Sequence, residues 1–194
     1  MTWQTRAAAR CLRWTSTPTF DLVEAEHDGY RRLPRPVTHR RAVAYVKPDV
    51  WIIYDRLLDS GGDHDVEWFL HLRPDCTIAP SEPEKQERVF TAPMGARLRF
   101  FWSVIAGPGA DGADLRCETL DDAFSDTYGK QVQAPTLRIR HAARRGSKGD
   151  WALLAWFTAS TEVVLQARAD PVGLRLNVTR PGSPQFHVVI SNAR

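Results

Sequence analysis

The sequence predicts an all-β fold, an antiparallel multi-stranded β-sandwich of layered sheets with few or no helices. Short segments in which apolar and polar residues alternate recur along the 194-residue chain, and turn residues separate them. No stretch has apolar residues at the spacing of an amphipathic helix. Seven Trp, eight Phe and four Tyr are enough to fill a core. We therefore expect residues 1–194 to form a single β-sandwich domain, or the C-terminal portion of one.

The first half of the chain predicts strands at residues 11–14, 20–24, 37–46, 50–54 and 66–72. The segment 37–46 contains neither Gly nor Pro, and alternation places Val37, His39 and Arg41 on one face, with Arg40 on the other. The segment 50–54 is apolar on both faces, which is typical of a central strand. Across the polar loop 57–65 we expect it to form a hairpin with 66–72.

The second half predicts a strand at residues 97–105, and further strands at 137–140, 151–158, 162–168, 172–179 and 186–190. The segment 121–135 has no steady period and is predicted to be a long ordered loop that carries Tyr128.

Composition narrows the classes of function. The net charge is only +3, from 26 basic and 23 acidic residues, so nucleic-acid binding has little support. No apolar run reaches 18 residues, so we expect no membrane insertion. The N-terminus lacks the apolar core of a signal peptide, and export would need a longer parent chain. Three widely separated cysteines do not indicate a disulfide framework.

Polar residues are densest between residues 24 and 41. We expect Gly29 to adopt a positive φ in a sharp turn, with His27 and Tyr30 on either side of the bend. His39 and Arg41 share a face of the next strand, so imidazole, phenol and guanidinium groups could converge. Such a set suits an acidic sugar, because cations neutralise its carboxylate and Tyr or His can move a proton. The alternative is a buried polar network that ties the turn to the strand.

Other kinds of site have weaker support. The six histidines show no compact metal-ligand spacing, and the loop Asp63-His64-Asp65 is predicted to be solvated rather than to bind a cation. Glu24, Glu26 and Asp28 lie close enough in sequence to suggest a glycosidase carboxylate pair. Charged residues at a strand end more often face water, which is the interpretation we favour.

Two runs, EAEHDGYRRLPRPVTHRRAVAYVKPDVWIIYDRL and FSDTYGKQVQAPTLRIR, resemble the C-terminal region of the heparinase II/III-like polysaccharide lyases. The resemblance covers roughly residues 14–158. It implies an N-terminal α/α toroid followed by a layered antiparallel β-sandwich. It also implies β-elimination, in which the uronate carboxylate is neutralised, the C5 proton is removed and the glycosidic oxygen leaves.

The resemblance further implies that the proton-transferring Tyr and His lie mostly in the toroid, and that structural zinc is held early in the sandwich. Both regions are expected upstream of Met1, so this chain would hold no cofactor and no toroid. No catalytic residue is carried over. The candidate substrate-binding residues all lie in the two runs: His27, Tyr30, His39, Arg40, Arg41 and Tyr128.

Two functions remain open. In the first, the chain is the distal β-sandwich portion of a lyase for uronic-acid-containing polysaccharides, inactive alone and dependent on a toroid domain or chain. Alternatively, it is a stand-alone carbohydrate-binding or structural module without turnover. An acidic polysaccharide is the expected partner, and the periplasm or the cell exterior is the expected location if the parent chain is exported.

Overall fold

The computed structural model of the chain describes residues 6–59, 64–82, 85–106, 115–141, 150–170 and 173–191. Within these ranges there is one short 3-10 turn, Pro93–Gly95. The remaining regular structure is strand, which confirms the all-β prediction. The strands are β1 Ala9–Ser16, β2 Phe20–His27, β3 Val37–Val46, β4 Val50–Asp59, β5 Val66–His71, β6 Thr77–Ile78, β7 Glu87–Thr91, β8 Arg97–Ala106, β9 Leu115–Phe124, β10 Val132–His141, β11 Trp151–Thr158, β12 Val164–Asp170, β13 Gly173–Thr179 and β14 Phe186–Ser191.

These strands form three antiparallel sheets. The large sheet has eight strands in the order β1-β2-β3-β4-β11-β8-β7-β6. Two three-stranded sheets have the orders β5-β10-β9 and β12-β13-β14. Over the described ranges, no helix is both long and apolar enough to span a bilayer.

The large sheet lies between the two smaller ones, because each of its faces contributes to a separate core. One core joins it to β12–β14 and includes Ile52, Leu154 and Leu176. The other joins it to β5 and β10 and includes Trp68 and Leu153. Strand β11 supplies both cores and is buried along nearly its whole length, which explains its continuous apolar sequence. The predicted layered sandwich is therefore confirmed.

Two predictions of local structure are wrong. Strand β4 pairs with β3 and β11, whereas β5 pairs with β10 in another sheet, so these two strands do not form a hairpin. Both edges of β4 are already occupied within the large sheet. The segment 121–135 is not one long loop either, because its ends belong to β9 and β10, which pair with each other. Polar, half-exposed side chains mask the strand alternation there.

Strand β1 lies at one edge of the large sheet and is exposed along almost all of its length. Trp14 on this strand is 73% exposed. Cys11 on the same strand is exposed as well. The functional candidates lie next to this edge, on β2, β3 and the connection between them.

Candidate functional site

The register of three neighbouring strands brings polar side chains together on one face of the large sheet. His27 on β2 is opposite His39 on β3, and Arg41 on β3 is opposite Asp55 on β4. Because side chains alternate along a strand, His39 and Arg41 point to the same side, as the sequence predicts. This face also carries the core shared with β5.

A continuous chain of hydrogen bonds links the two histidines to Asp55. The backbone N–H of Gly29 donates to Nδ1 of His27 at 3.2 Å. Nε2 of His27 lies 3.0 Å from Nδ1 of His39, and Nε2 of His39 lies 2.7 Å from Oδ1 of Asp55. Since the Gly29 N–H can only donate, each ring accepts at Nδ1 and donates from Nε2. All four ring nitrogens therefore have partners inside the chain.

Asp55 is the acceptor at the end of this hydrogen-bond chain and is only 2% exposed. Arg41 donates to both carboxylate oxygens, from Nε at 2.7 Å and from a terminal nitrogen at 2.8 Å. The indole N–H of Trp68 donates to Oδ2 at 2.9 Å. Burial by itself raises the pKa of Asp55, but the hydrogen bonds from His39 and Arg41 outweigh it and hold that pKa below the usual range. In turn, the hydrogen bond to Asp55 raises the pKa of Arg41.

Asp55 and Trp68 are central to the site, yet the sequence interpretation did not select them. The sequence feature that could have identified Asp55 is its position directly after the apolar run 50–54 of a central strand. A buried carboxylate in such a strand needs a charge partner, which here is Arg41 on the neighbouring strand.

Gly29 fits the turn for a reason other than the one predicted. Its φ is not among the positive values that Gly95, Gly129 and Gly182 adopt. A Cβ at this position would instead lie 3.1 Å from the Cβ of Ala7 and 3.1 Å from Nδ1 of His27. Glycine is therefore needed for close approach, so that its N–H can reach the imidazole.

Tyr30 lies beside the histidine pair. Its ring centroid is 5.3 Å from that of His27 and 6.4 Å from that of His39. Partial burial and the neighbouring His39 and Arg41 lower the pKa of His27, which favours the neutral imidazole that the hydrogen-bond chain requires. Turn and strand are thus tied together by a satisfied polar network.

Arg40 points to the opposite face, as its place in the alternation predicts. It is 5% exposed, and its guanidinium donates to Glu26 at 2.8 Å and lies 3.9 Å from Glu24. Arg10 on β1 binds the other oxygen of Glu26. Glu24 is 8% exposed, so the expectation that it faces water is wrong. These acids are engaged with arginines on one sheet face and do not form an opposed carboxylate pair.

Tyr128 is fully exposed on the connection between β9 and β10. It does not line the cavity beside the histidine network. The structure therefore brings together His27, Tyr30, His39 and Arg41, but neither Arg40 nor Tyr128.

A cavity of about 290 Å3 opens beside Arg41, between β3–β4 and β5. Its walls combine aromatic, aliphatic and charged side chains: Tyr30, Leu33, Val37, His39, Arg41, Asp55, Leu57, His64, Asp65, Val66, Glu67, Trp68, Phe69 and Trp151. His64 and Asp65 of the predicted polar loop thus border the cavity, while Asp63 lies outside the described residues.

The histidine network does not fit a zinc site. The ring nitrogens of His27 and His39 point at each other and at Asp55 rather than at a common centre. Over the described ranges, no group of three or more His, Cys, Asp or Glu side chains is arranged to hold a metal ion.

Comparison with solved structures shows where this architecture occurs. The fold is similar to that of the heparan sulfate lyase HepC from Pedobacter heparinus, with a TM-score of 0.69 and 15% sequence identity over 96% of this chain and 28% of that one. The heparinase III BT4657 gene product gives a TM-score of 0.69 at 14% identity over 94% and 28% of the two chains. Another heparinase III gives 0.68 at 12% identity, over 94% and 27%.

This chain therefore spans less than a third of the length of these lyases. At such low identity the likeness establishes the fold alone. No curated protein sequence matches the chain.

Sequence comparison with family models is more specific. The model described as "Heparinase II/III-like, C-terminal" matches residues 2–162, which is most of the chain and includes β1–β11. The protein belongs to the heparinase II/III-like family through its C-terminal domain.

Proposed function

We propose that this chain is the distal β-sandwich portion of a polysaccharide lyase that acts by β-elimination on uronic-acid-containing polysaccharides. Membership of the heparinase II/III-like family supports the reaction class. The fold, shared with proteins named as heparan sulfate lyase and heparinase III, supports a polysaccharide as the substrate.

We also propose that this chain is inactive by itself, and the closed hydrogen-bond chain is the observation that supports this. His27 and His39 use both ring nitrogens for Gly29, for each other and for Asp55. Proton transfer to or from a substrate would require one of these bonds to open. We therefore propose that the general acid and base come from a toroid domain or a toroid chain, and that this portion makes no product alone.

In this proposal the network shapes one wall of a substrate cleft. Tyr30, His39 and Arg41 border the cavity between β3–β4 and β5. Asp55 holds Arg41 and His39 in fixed orientations, which reduces the entropy lost when a ligand binds. His27 fixes the orientation of the His39 ring through its hydrogen bond to Nδ1 of His39.

The remaining parts of the proposal concern the whole protein. An acidic polysaccharide is the proposed partner. Structural zinc, where the parent protein holds it, is proposed to be bound by residues upstream of Met1. The parent protein is proposed to be exported to the periplasm or the cell exterior, where such polymers are found.

A stand-alone carbohydrate-binding or structural module is the second candidate function. It is favoured by the same closed network, together with a cavity whose walls carry four aromatic side chains, Tyr30, Trp68, Phe69 and Trp151.

An absorbance assay for unsaturated uronate separates these functions. The chain is incubated with heparin, heparan sulfate or alginate, alone and together with a polypeptide that carries a heparinase II/III-like toroid. We expect product only with the toroid present. Product from the chain alone would contradict the assignment of the acid and base to the toroid. Absence of product in both cases would favour the binding module.

A further inference from the structure

We propose that the cavity between β3–β4 and β5 binds an uncharged sugar ring of the polysaccharide and disfavours the uronate carboxylate. This inference rests on the proposed function for the identity of the polymer, and it specifies which unit of that polymer the cavity accepts. It revises the expectation, drawn from residue types alone, that Arg41 and His39 neutralise a carboxylate.

The shape of the cavity suits one ring. Its volume of about 290 Å3 lies near the lower end of ligand-binding cavities. Tyr30, Leu33 and Phe69 are each between 41% and 43% exposed and line the cavity, so apolar surface is accessible to a ligand there. Trp68 and Trp151, each 7% exposed, form a buried part of the wall. Aromatic surfaces with a few polar groups are the usual lining of a site for small organic ligands.

The charges in the wall argue against an anionic ligand. Both carboxylate oxygens of Asp55 are bound by Arg41, so the one arginine among the described residues of the lining is already neutralised. A uronate placed beside Arg41 would also lie beside Asp55. Two further acids, Asp65 and Glu67, line the same cavity. Like charges brought together in a partly desolvated site oppose binding.

Glu67 also has cation partners, but they do not line the cavity. Nε of Arg140 lies 2.9 Å from the Glu67 carboxylate, and a terminal nitrogen of Arg138 lies 3.8 Å from it. These partly exposed pairs place their positive groups outside the lining. Uncharged hydroxyl groups can form hydrogen bonds with the polar side chains of this cavity without adding a further negative charge.

A buried donor in the wall calls for an acceptor. Trp151 lines the cavity, and its indole N–H is buried with no hydrogen-bond partner among the residues that the structure describes. Buried polar groups in folded proteins are nearly always paired, so an unpaired donor on a residue that lines a cavity is consistent with a ligand or a water molecule as its acceptor. A sugar hydroxyl is an acceptor of the right kind and also donates.

A matched pair of ligands tests the inference. Methyl β-glucoside and methyl β-glucuronide share one ring and differ only in the carboxylate. The chain is titrated with each at fixed ionic strength, and binding is followed by NMR shifts of Tyr30, Phe69 and Trp151. We expect saturable shifts with the glucoside and an affinity for the glucuronide at least about tenfold weaker. Tighter binding of the glucuronide, or no saturable shift with the glucoside, overturns the inference.

Trp151→Phe removes the indole N–H and keeps an aromatic side chain. It should weaken glucoside binding about three- to tenfold. Trp156→Phe is the matched control, because Trp156 lies on the same strand, packs against the other core and stacks on Phe101. Its binding should equal that of the wild type. Equal glucoside affinity in the two folded variants contradicts a hydrogen bond from Trp151 to the sugar. If Trp151→Phe does not fold, the wild-type comparison of the two glycosides decides the inference.

These titrations measure binding without turnover, so they are independent of the lyase assay. Glucoside binding without lyase activity in the complete protein would remove the proposed reaction and leave the sugar site. Lyase activity without glucoside binding would retain the proposed reaction and remove the sugar site.

Discussion

His27 and His39 face each other across β2 and β3, with Nε2 of His27 3.0 Å from Nδ1 of His39. The backbone of Gly29 and the buried carboxylate of Asp55 occupy the outer nitrogens of the pair. This arrangement defines both tautomers, and it makes the pair a structural connection between the β2–β3 turn and the centre of the large sheet.

His39→Ala should destabilise the chain, because it leaves a donor on His27 and an acceptor on Asp55 without their partner. We expect the free energy of unfolding to fall by about 2–3 kcal/mol in urea denaturation. His187→Ala is the control: His187 is exposed on β14 and bonds only to Asn177 among the contacts described, so its loss should change stability by less than about 0.5 kcal/mol. Unchanged stability of His39→Ala, with loss of activity in a longer lyase, would instead assign His39 a role at the substrate.

Asp55→Asn keeps the shape of the side chain and removes its charge. Arg41 would then lack a charge partner, and we expect a loss of about 2–3 kcal/mol, below the full cost of breaking a buried pair because Arg41 is half exposed. Asp75→Asn is the matched control, since Asp75 pairs with Arg73 at the surface. Its effect should stay under about 1 kcal/mol. Equal effects of the two substitutions in thermal denaturation would contradict a special role for Asp55.

Acid should weaken the fold in two steps. The pKa of His27 is lowered from its ordinary value of 6.5 in the folded chain. The unfolded chain therefore binds more protons as the pH falls below that value, so the contribution of His27 is complete above about pH 6.5 and is lost below it. The pKa of Asp55 is lowered from 3.8, so its contribution is complete above that value and is lost below it.

Urea denaturation at about pH 7.5 and about pH 5.5 tests the first step, and His27→Gln should reduce the difference between the two. Glutamine retains an N–H donor for His39 but does not titrate. His187→Gln should leave the difference unchanged, since His187 lies on the surface of another sheet. A wild-type chain that is equally stable at both pH values would contradict the requirement for a neutral His27.

Gly29→Ala should destabilise the chain by about 1–2 kcal/mol through crowding. The added Cβ would meet Ala7 and the His27 ring, each at 3.1 Å. Gly182→Ala provides the contrast, because Gly182 has open space around it and a φ of +69°. Both variants should lose stability, but only Gly29→Ala should alter the NMR titration of His27. An unaltered titration would contradict close packing as the reason for glycine at position 29.

Pattern reasoning predicted those parts of the fold where alternation is strong. Strands β3, β11 and β13 fall within a residue of their expected bounds, because their side chains alternate cleanly or are buried on both faces. Strands β6, β7 and β9 were missed. They are short or largely polar, and pairing with the adjacent strand stabilises them more than their own composition does.

The sequence by itself determined the class of fold, the family-matching runs and the shared face of His39 and Arg41, because each depends on composition or on a period of two. Tertiary structure decided which strands are neighbours, and this placed Asp55 beside Arg41 and Trp68 over Asp55. Residue types suggested a cationic site for a carboxylate. The register of β3 against β4 instead neutralises that cation from within, because charges fourteen residues apart in sequence become direct neighbours only when the strands pair.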